Sequence, residues 1–202
     1  MNETKEHIII TTSKLFLQKS FKEVTMQEIV LKTGLSKGAF YHYFKSKEQL
    51  FLEVLEYVFS KIFVHDYQSY SRESFYGFYH DYANAVENIG KKYLENMKEE
   101  GNKVFNINYF ALIFDALKLF PGFRENVILG LQGEIEIWKG VIAHAKKNGE
   151  IQSAMTDEEI ALTFISISDG VAMHMLVRGI AIAEVKNIYL SLWDKLYEHI
   201  KQ

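Results

Sequence analysis

Apolar positions recur every three to four residues along most of the 202-residue chain, which is the spacing of one face of an α-helix. No run of alternating apolar and polar residues is flanked by hairpin turns, and the single proline is Pro121. The pattern therefore predicts an all-α protein. We expect a small helical domain over residues 1–47 and a larger helical domain over residues 48–202.

Three short helices are predicted in the small domain. The first runs over about residues 3–19, and the second opens with the capping box Thr25-Met26-Gln27-Glu28. Gly34 is expected to end the second helix in a left-handed conformation, after which Ser36 caps the third. A further capping box at Ser46 opens a long fourth helix, with the apolar stripe Phe51, Leu55, Val58 and Ile62.

The larger domain continues the helical pattern. An apolar stripe from residue 75 predicts one helix, and residues 103–120 are apolar nearly all round, as in a helix enclosed by others. A capping box at Thr156 opens another apolar helix, and the last helix covers about residues 183–200. Between them, a helix over about residues 123–147 has an apolar face of Ile128, Leu131, Ile135, Trp138 and Ile142.

Charge is distributed unevenly along the chain. The net charge is -3, yet residues 1–50 contain eight Lys against five Glu and are positive. Between Val30 and Lys47 there are four Lys and no acidic residue. Such a run is either a solvated face or an electrostatic surface for nucleic acid, and composition alone leaves both open.

Several functional classes lose support from the sequence. The chain has no Cys, so disulfides and thiolate chemistry are excluded, and scattered His residues give no metal signature. The first residues do not resemble a signal peptide. The apolar stretch Ile160–Val177 contains Asp169 near its middle, which favours a helix buried in protein over a membrane span. We therefore expect a cytoplasmic protein without cofactor, metal or membrane partner.

Residues 25–47 have the features of a helix-turn-helix: two short helices, a glycine turn, and Lys and Tyr gathered on the second helix. This segment, which with the next four residues reads TMQEIVLKTGLSKGAFYHYFKSKEQLF, resembles the TetR family of transcriptional regulators. The resemblance covers residues 8–51. The residues on which it rests are Phe16, Phe21, Thr25, Ile29, Gly34, Leu35, Ser36, Gly38, Tyr41, Phe44, Lys47 and Leu50.

The resemblance implies a role in DNA binding for six residues. A phosphate contact is implied for the Thr at the start of the second helix and for the Lys at the start of the fourth. A base edge or a phosphate is implied for the first Lys of the third helix, and backbone and thymine-methyl contacts for the Tyr four residues later. The six are Thr25, Lys37, Tyr41, His42, Tyr43 and Lys47.

The sequence departs from the family pattern at four of its positions. Ser20 stands where Gly commonly ends the first helix, and Val30 stands where Ala is usual. Both changes concern packing. His42 and Tyr43 are exchanged relative to the usual order, which leaves open how the two divide their contacts.

The resemblance also implies a homodimer formed through the last long helices. Two observations in the sequence agree with it. Gly133 and Gly140 lie one heptad apart, where they permit close helix approach, and the apolar stretch containing Asp169 and Gly170 needs a partner surface. Packing within one chain is the alternative explanation.

The family further implies a small-molecule effector bound in the larger domain. Aromatic and Met side chains at helical spacing are candidates for lining such a pocket, although stripes of this kind are more often plain core. The candidates are Tyr79, Tyr82, Phe105, Tyr109, Phe114, Trp138 and Met173.

Together these features predict a regulator that binds a palindromic operator and is released by a small-molecule effector. An activator or effector-independent regulator with the same DNA-binding domain is one alternative. The other is an all-helical enzyme or small-molecule carrier in which the basic segment is incidental, and no catalytic constellation supports it.

Overall fold

The computed structural model describes residues 2–62, 65–97, 108–179 and 181–201. Within these ranges the chain is helical and contains no strand, which confirms the predicted all-α class. The helices are α1 (Glu3–Phe16), α2 (Met26–Thr33), α3 (Lys37–Tyr43), α4 (Lys47–Ile62), α5 (Phe75–Met97), α6 (Asn108–Leu119), α7 (Pro121–Lys147), α8 (Asp157–Arg178) and α9 (Ile182–Ile200).

The chain divides into two compact units. The N-terminal unit comprises residues 1–64 and 106–126, and the C-terminal unit comprises residues 65–105 and 127–202. The predicted boundary after residue 47 lies inside the N-terminal unit, because α4 packs against α1 and α6 packs against α4.

Aromatic rings form much of the core of the N-terminal unit. The ring centroid of Phe51 lies 5.0 Å from that of Phe16, 4.5 Å from that of Phe21 and 5.6 Å from that of Phe120. The helix α1 ends at Phe16, three residues earlier than predicted. The chain then turns at Ser20, whose N–H and hydroxyl both donate to the Glu23 carboxylate.

The expectation that other helices enclose α6 is wrong for the described residues, and the apolar face of α7 is covered over only part of its length. Only one face of α6 is buried, through Leu112 and Ala116, while the Phe114 side chain is 57% exposed. In α7 the first part of the predicted apolar face is also open, since Ile128 and Leu131 are 46% and 50% exposed. An apolar composition requires a partner surface, and the described part of this chain covers only one side of each segment.

The C-terminal unit is built around a second aromatic core, in which α5 and α8 both pack against α9. The Trp193 indole contacts the rings of Tyr79, Trp138 and Phe164, and its Nε1 donates to the Phe164 carbonyl oxygen at 3.1 Å. At the start of α5, the Glu150 carboxylate accepts from the first backbone N–H groups of that helix.

The predicted capping box of α8 is present. Thr156 Oγ1 accepts from the Glu159 N–H at 3.1 Å, and the Glu159 carboxylate accepts from the Thr156 N–H at 2.7 Å. By length and composition α8 is the one helix in the described ranges that is apolar enough to cross a membrane. Its Ile160, Phe164 and Ile165 side chains are buried in the core of the C-terminal unit, which accounts for part of that apolar character.

Candidate nucleic-acid interface

The turn between α2 and α3 has the backbone conformation that the sequence predicts. Thr25 is the N-cap of α2, and its Oγ1 accepts from the Glu28 N–H at 3.1 Å. Gly34 ends the helix with φ of 70°, in the left-handed region. A Cβ at Gly34 would meet no atom within 4 Å, so glycine is required there by the backbone angle and not by space. Ser36 Oγ caps α3 by accepting from the Ala39 N–H at 3.2 Å.

The orientation of α3 is set by two buried phenylalanines. Phe40 and Phe44, at the end of α3, have no exposed surface, so the face of α3 opposite them is turned to solvent. Tyr41 and His42 are exposed, as is Lys37 in the first turn, and Tyr43 is half-buried. The rings of His42 and Tyr43 meet edge to face at 5.3 Å.

Ion pairs remove some lysines of this unit from the candidate interface. Lys19 pairs with Glu28 at 2.5 Å, and Lys5 pairs with Glu53 at 2.6 Å. The hydrogen bond from Lys19 lowers the pKa of the Glu28 carboxyl, which keeps it ionised and paired. Of the five exposed lysines of residues 1–50 outside these pairs, three lie in the acid-free run of residues 30–47, namely Lys32, Lys37 and Lys45.

Within that run the structure exposes two lysines that the sequence analysis did not single out. Lys32 lies in the last turn of α2, and Lys45 follows α3. The Lys45 ammonium donates to the Tyr41 carbonyl oxygen at 2.5 Å and so lies at the C-terminal end of α3. The acid-free run was the signal that could have identified both.

Lys47 is placed differently from the other predicted contacts. Its side chain is half-buried, and its Nζ donates to the carbonyl oxygens of Phe21 and Val24 at 2.8 Å and 2.9 Å. The ammonium also lies 4.3 Å from the centroid of the Phe21 ring. The charge of Lys47 is thus directed at the loop before α2, whereas the sequence analysis assigned it to a phosphate.

Three of the candidate effector-pocket residues come together in the described part of the chain. Tyr79, Tyr82 and Trp138 are buried in the core of the C-terminal unit, where their rings pack against Trp193, in agreement with the alternative that they are plain core. Met173 is 39% exposed. Phe114 belongs to the N-terminal unit. Phe105 and the Tyr109 side chain lie outside the described part of the chain.

A histidine and a carboxylate with altered pKa values lie near Tyr82. The His65 ring stacks on Tyr82 at 4.2 Å, and its Nδ1 is 2.7 Å from the Tyr70 hydroxyl. Burial lowers the pKa of His65 to about 4. The Tyr67 hydroxyl donates to Glu134 Oε1 at 2.6 Å, and burial raises the pKa of the Glu134 carboxyl.

We expect His65 to make the free energy of unfolding depend on pH between about 6.5 and about 4. In this window the unfolded chain binds a proton at His65 that the folded chain does not, so stability falls as the pH is lowered. Urea unfolding should show that the free energy of unfolding of the unaltered protein falls between pH 7 and pH 5. In His65→Gln this fall should be smaller by about 1–2 kcal/mol. Glu134 acts in the opposite direction, because its folded pKa is raised. Equal losses in the two proteins would contradict the assignment to His65.

The predicted dimer residues are on open surfaces of the C-terminal unit. Gly133 and Gly140 are exposed on α7, and Asp169 and Gly170 are exposed on α8. A Cβ at any of these three glycines would meet no atom within 4 Å. Beside Gly170 an open groove of about 300 Å³ runs between α8 and α9, lined by Ser166, Ile167, Gly170, Val171, His174, Met175, Arg178, Ile188 and Leu192.

Known proteins match this chain most clearly in its N-terminal region. The family model described as "Bacterial regulatory proteins, tetR family" matches residues 8–54. Over 57 residues the chain is 56% identical to the uncharacterized HTH-type transcriptional regulator YerO of Bacillus subtilis (strain 168), which covers 28% of this chain and 20% of YerO. Over 55 residues it is 38% identical to the HTH-type transcriptional repressor NemR of Escherichia coli (strain K12), which covers 27% of this chain and 28% of NemR.

The whole fold also has a solved counterpart. A TetR transcriptional regulator from Chloroflexus aurantiacus J-10-FL superposes with a TM-score of 0.67 at 20% identity, over 98% of this chain and 96% of that one. Likeness at this identity shows a common fold. Because the curated relatives are matched over less than a third of their length, they support the DNA-binding region and not the activity of the whole protein.

Proposed function

We propose that this chain, whose residues 8–54 match the tetR family of bacterial regulatory proteins, is a homodimeric repressor that leaves its operator when a small-molecule effector binds. The observation that supports DNA binding most directly is the orientation of α3. Burial of Phe40 and Phe44 turns Lys37, Tyr41 and His42 to solvent on a helix of the size that enters a major groove.

The exposed chemistry of α3 suits an operator. Lysine ammonium groups bind phosphates or guanine edges, and the tyrosine ring contacts backbone and thymine methyl groups. The first turn contains Gly38 and Ala39, both exposed, so no bulky side chain separates the α3 backbone from the groove. The N-terminus of α2, with Thr25 exposed at its cap, adds a site for one phosphate.

A second copy of the chain is the partner proposed for the α8 and α9 surface. The apolar residues Val177 and Leu192 are 71% and 40% exposed there, and Gly170 leaves room for a close approach. A two-fold dimer presents two copies of α3, and an inverted repeat with half-sites about 34–36 Å apart fits this arrangement. The open glycines of α7, Gly133 and Gly140, are proposed to lie in or beside the same interface.

Effector release is supported less directly. The proposal places the effector in the C-terminal unit and removes Phe114 and Met173 from the pocket because their side chains are exposed. NemR is a repressor, and repression is carried from it to this chain as a proposal. An effector lowers operator affinity by as much as it prefers the conformation that does not bind DNA. A cytoplasmic location follows from access to DNA.

Selection of bound duplexes from a random library at moderate salt tests the proposed function. We expect the unaltered protein to enrich one inverted repeat, whereas the double variant Lys37→Gln/Tyr41→Ala enriches none, since two exposed α3 contacts are removed without loss of buried core. The selection is repeated with unaltered protein that has been unfolded and refolded, because this treatment removes any bound effector.

Three other outcomes decide against parts of the proposal. Enrichment of a single half-site would contradict the dimer. No enrichment by refolded protein would contradict DNA binding and favour an all-helical carrier or enzyme. Reporter expression that falls when the gene is deleted would replace repression with activation.

A further inference from the structure

The first residue of α4 holds the loop that leads into α2. Lys47 Nζ donates to the Phe21 carbonyl oxygen at 2.8 Å and to the Val24 carbonyl oxygen at 2.9 Å. These are lengths typical of charge-assisted hydrogen bonds, which are roughly twice as strong as neutral ones. An ammonium group has three N–H donors, so the loop takes two of the three.

The same ammonium is also in contact with an aromatic face. It lies 4.3 Å from the centroid of the Phe21 ring, within the range of a cation–π interaction. The Phe21 ring is in turn 4.5 Å from that of Phe51, which lies one helical turn after Lys47 on α4. The loop therefore contacts α4 at two consecutive turns. To contact a phosphate, the Lys47 side chain would have to give up two hydrogen bonds and a cation–π contact.

The fastened segment ends where the proposed phosphate site begins. Val24 is fully buried and immediately precedes Thr25, the exposed N-cap of α2. By fixing the Val24 carbonyl, Lys47 fixes the peptide that joins Val24 to Thr25. The position of the Thr25 hydroxyl and of the first N–H groups of α2 therefore depends on Lys47.

We propose that Lys47 is a positioning residue for operator binding, which acts through Thr25 and does not itself contact a phosphate. This inference rests on the proposed DNA-binding function. It also replaces the phosphate contact that the family resemblance assigned to Lys47.

Counterion release separates the two roles. Each lysine that neutralises a phosphate contributes about 0.9 to the slope of log affinity against log salt concentration. Loss of a phosphate-contacting lysine therefore lowers the slope by about that amount for each chain of a dimer. Loss of a positioning lysine weakens binding through a misplaced Thr25, which is uncharged, and leaves the slope unchanged.

The experiment measures operator affinity of the full chain between about 50 and 200 mM salt, on the duplex obtained by selection. Lys47→Met should bind about tenfold or more weakly with an unchanged slope. Lys47→Arg, which keeps the charge and the donors, should recover most of the affinity. Lys37→Gln is the comparison at an exposed lysine of α3, where a phosphate contact lowers the slope and a base-edge contact weakens binding with the slope unchanged.

A double-mutant cycle with Thr25→Ala tests whether Lys47 acts through Thr25. If Lys47 acts through Thr25, the double variant should bind the operator about as weakly as the weaker-binding single variant. If the two residues contact DNA independently, the losses of binding free energy of the single variants should add. In the free protein, the Glu28 N–H donates a hydrogen bond to Thr25 Oγ1. Lys47→Met should therefore also speed hydrogen exchange at the Glu28 amide.

The outcomes are distinguishable. A lower slope for Lys47→Met, together with additive losses in the cycle, would overturn the positioning role while leaving DNA binding intact. Failure of the unaltered protein to prefer any duplex would instead overturn the proposed function, and the exchange rate at Glu28 would still report whether Lys47 orders the loop.

Discussion

Gly170→Arg should convert the protein to a monomer and weaken operator binding by about 100-fold to 10,000-fold, the range by which two linked half-site contacts exceed one. Gly170 lies in the open α8–α9 surface. In a two-fold interface the substitution would bury two guanidinium groups, one from each chain, without a partner for either charge. Sedimentation at micromolar protein gives the oligomeric state, and a salt-matched titration with the selected duplex gives the affinity.

The expected loss does not come from misfolding of the single chain. A Cβ at Gly170 meets no atom within 4 Å, and arginine has a higher helix propensity than glycine. Gly122→Arg is the matched control, because Gly122 is equally open but lies in the first turn of α7, within the N-terminal unit. If Gly170→Arg stays dimeric while Gly133→Arg becomes monomeric, the interface is on α7 and the proposed α8–α9 surface is wrong.

Trp193→Ala should lower the free energy of unfolding by about 3–5 kcal/mol, the cost of removing a large buried aromatic side chain. Trp193 has no exposed surface, and its indole is in contact with rings from α5, α7 and α8. Its truncation also leaves the Phe164 carbonyl without the indole N–H. Urea unfolding followed by circular dichroism measures the change.

Lys195→Ala provides the comparison on the same helix. Lys195 is exposed two residues away on α9, so its truncation removes little buried surface and should change stability by less than about 0.5 kcal/mol. A Trp193→Ala protein as stable as Lys195→Ala would mean that the aromatic core of the C-terminal unit repacks without loss.

The helix-turn-helix was predicted from the sequence in detail because its signals are local. A cap such as Thr25 or Ser36 bonds to a backbone N–H three residues away, and Gly34 adopts a backbone angle that other residues avoid. Phe40 and Phe44 share a face through helical geometry alone. Each of these features involves residues within one turn of one another, so neighbouring letters contain the information.

The burial of apolar residues was predicted less well, because burial depends on residues distant in the chain. Helical spacing puts Phe114 and Trp138 into the same class of aromatic stripe, yet one is 57% exposed and the other fully buried. The difference arises from what packs against each helix, which periodicity does not contain. For the same reason the apolar stretch of α6 was expected to be enclosed on more sides than the described residues enclose it.

The helical class, the capped helix-turn-helix and the basic segment are encoded locally, since each follows from propensity, capping or charge over short distances. The directions of charged groups and aromatic rings depend instead on how the helices pack. The sequence predicts Lys47 as an exposed cation. In the structure its ammonium donates to the carbonyl oxygens of Phe21 and Val24, more than 20 residues earlier. Contacts between such distant residues exist only after the helices have packed, and they decide whether a lysine binds a partner or its own chain.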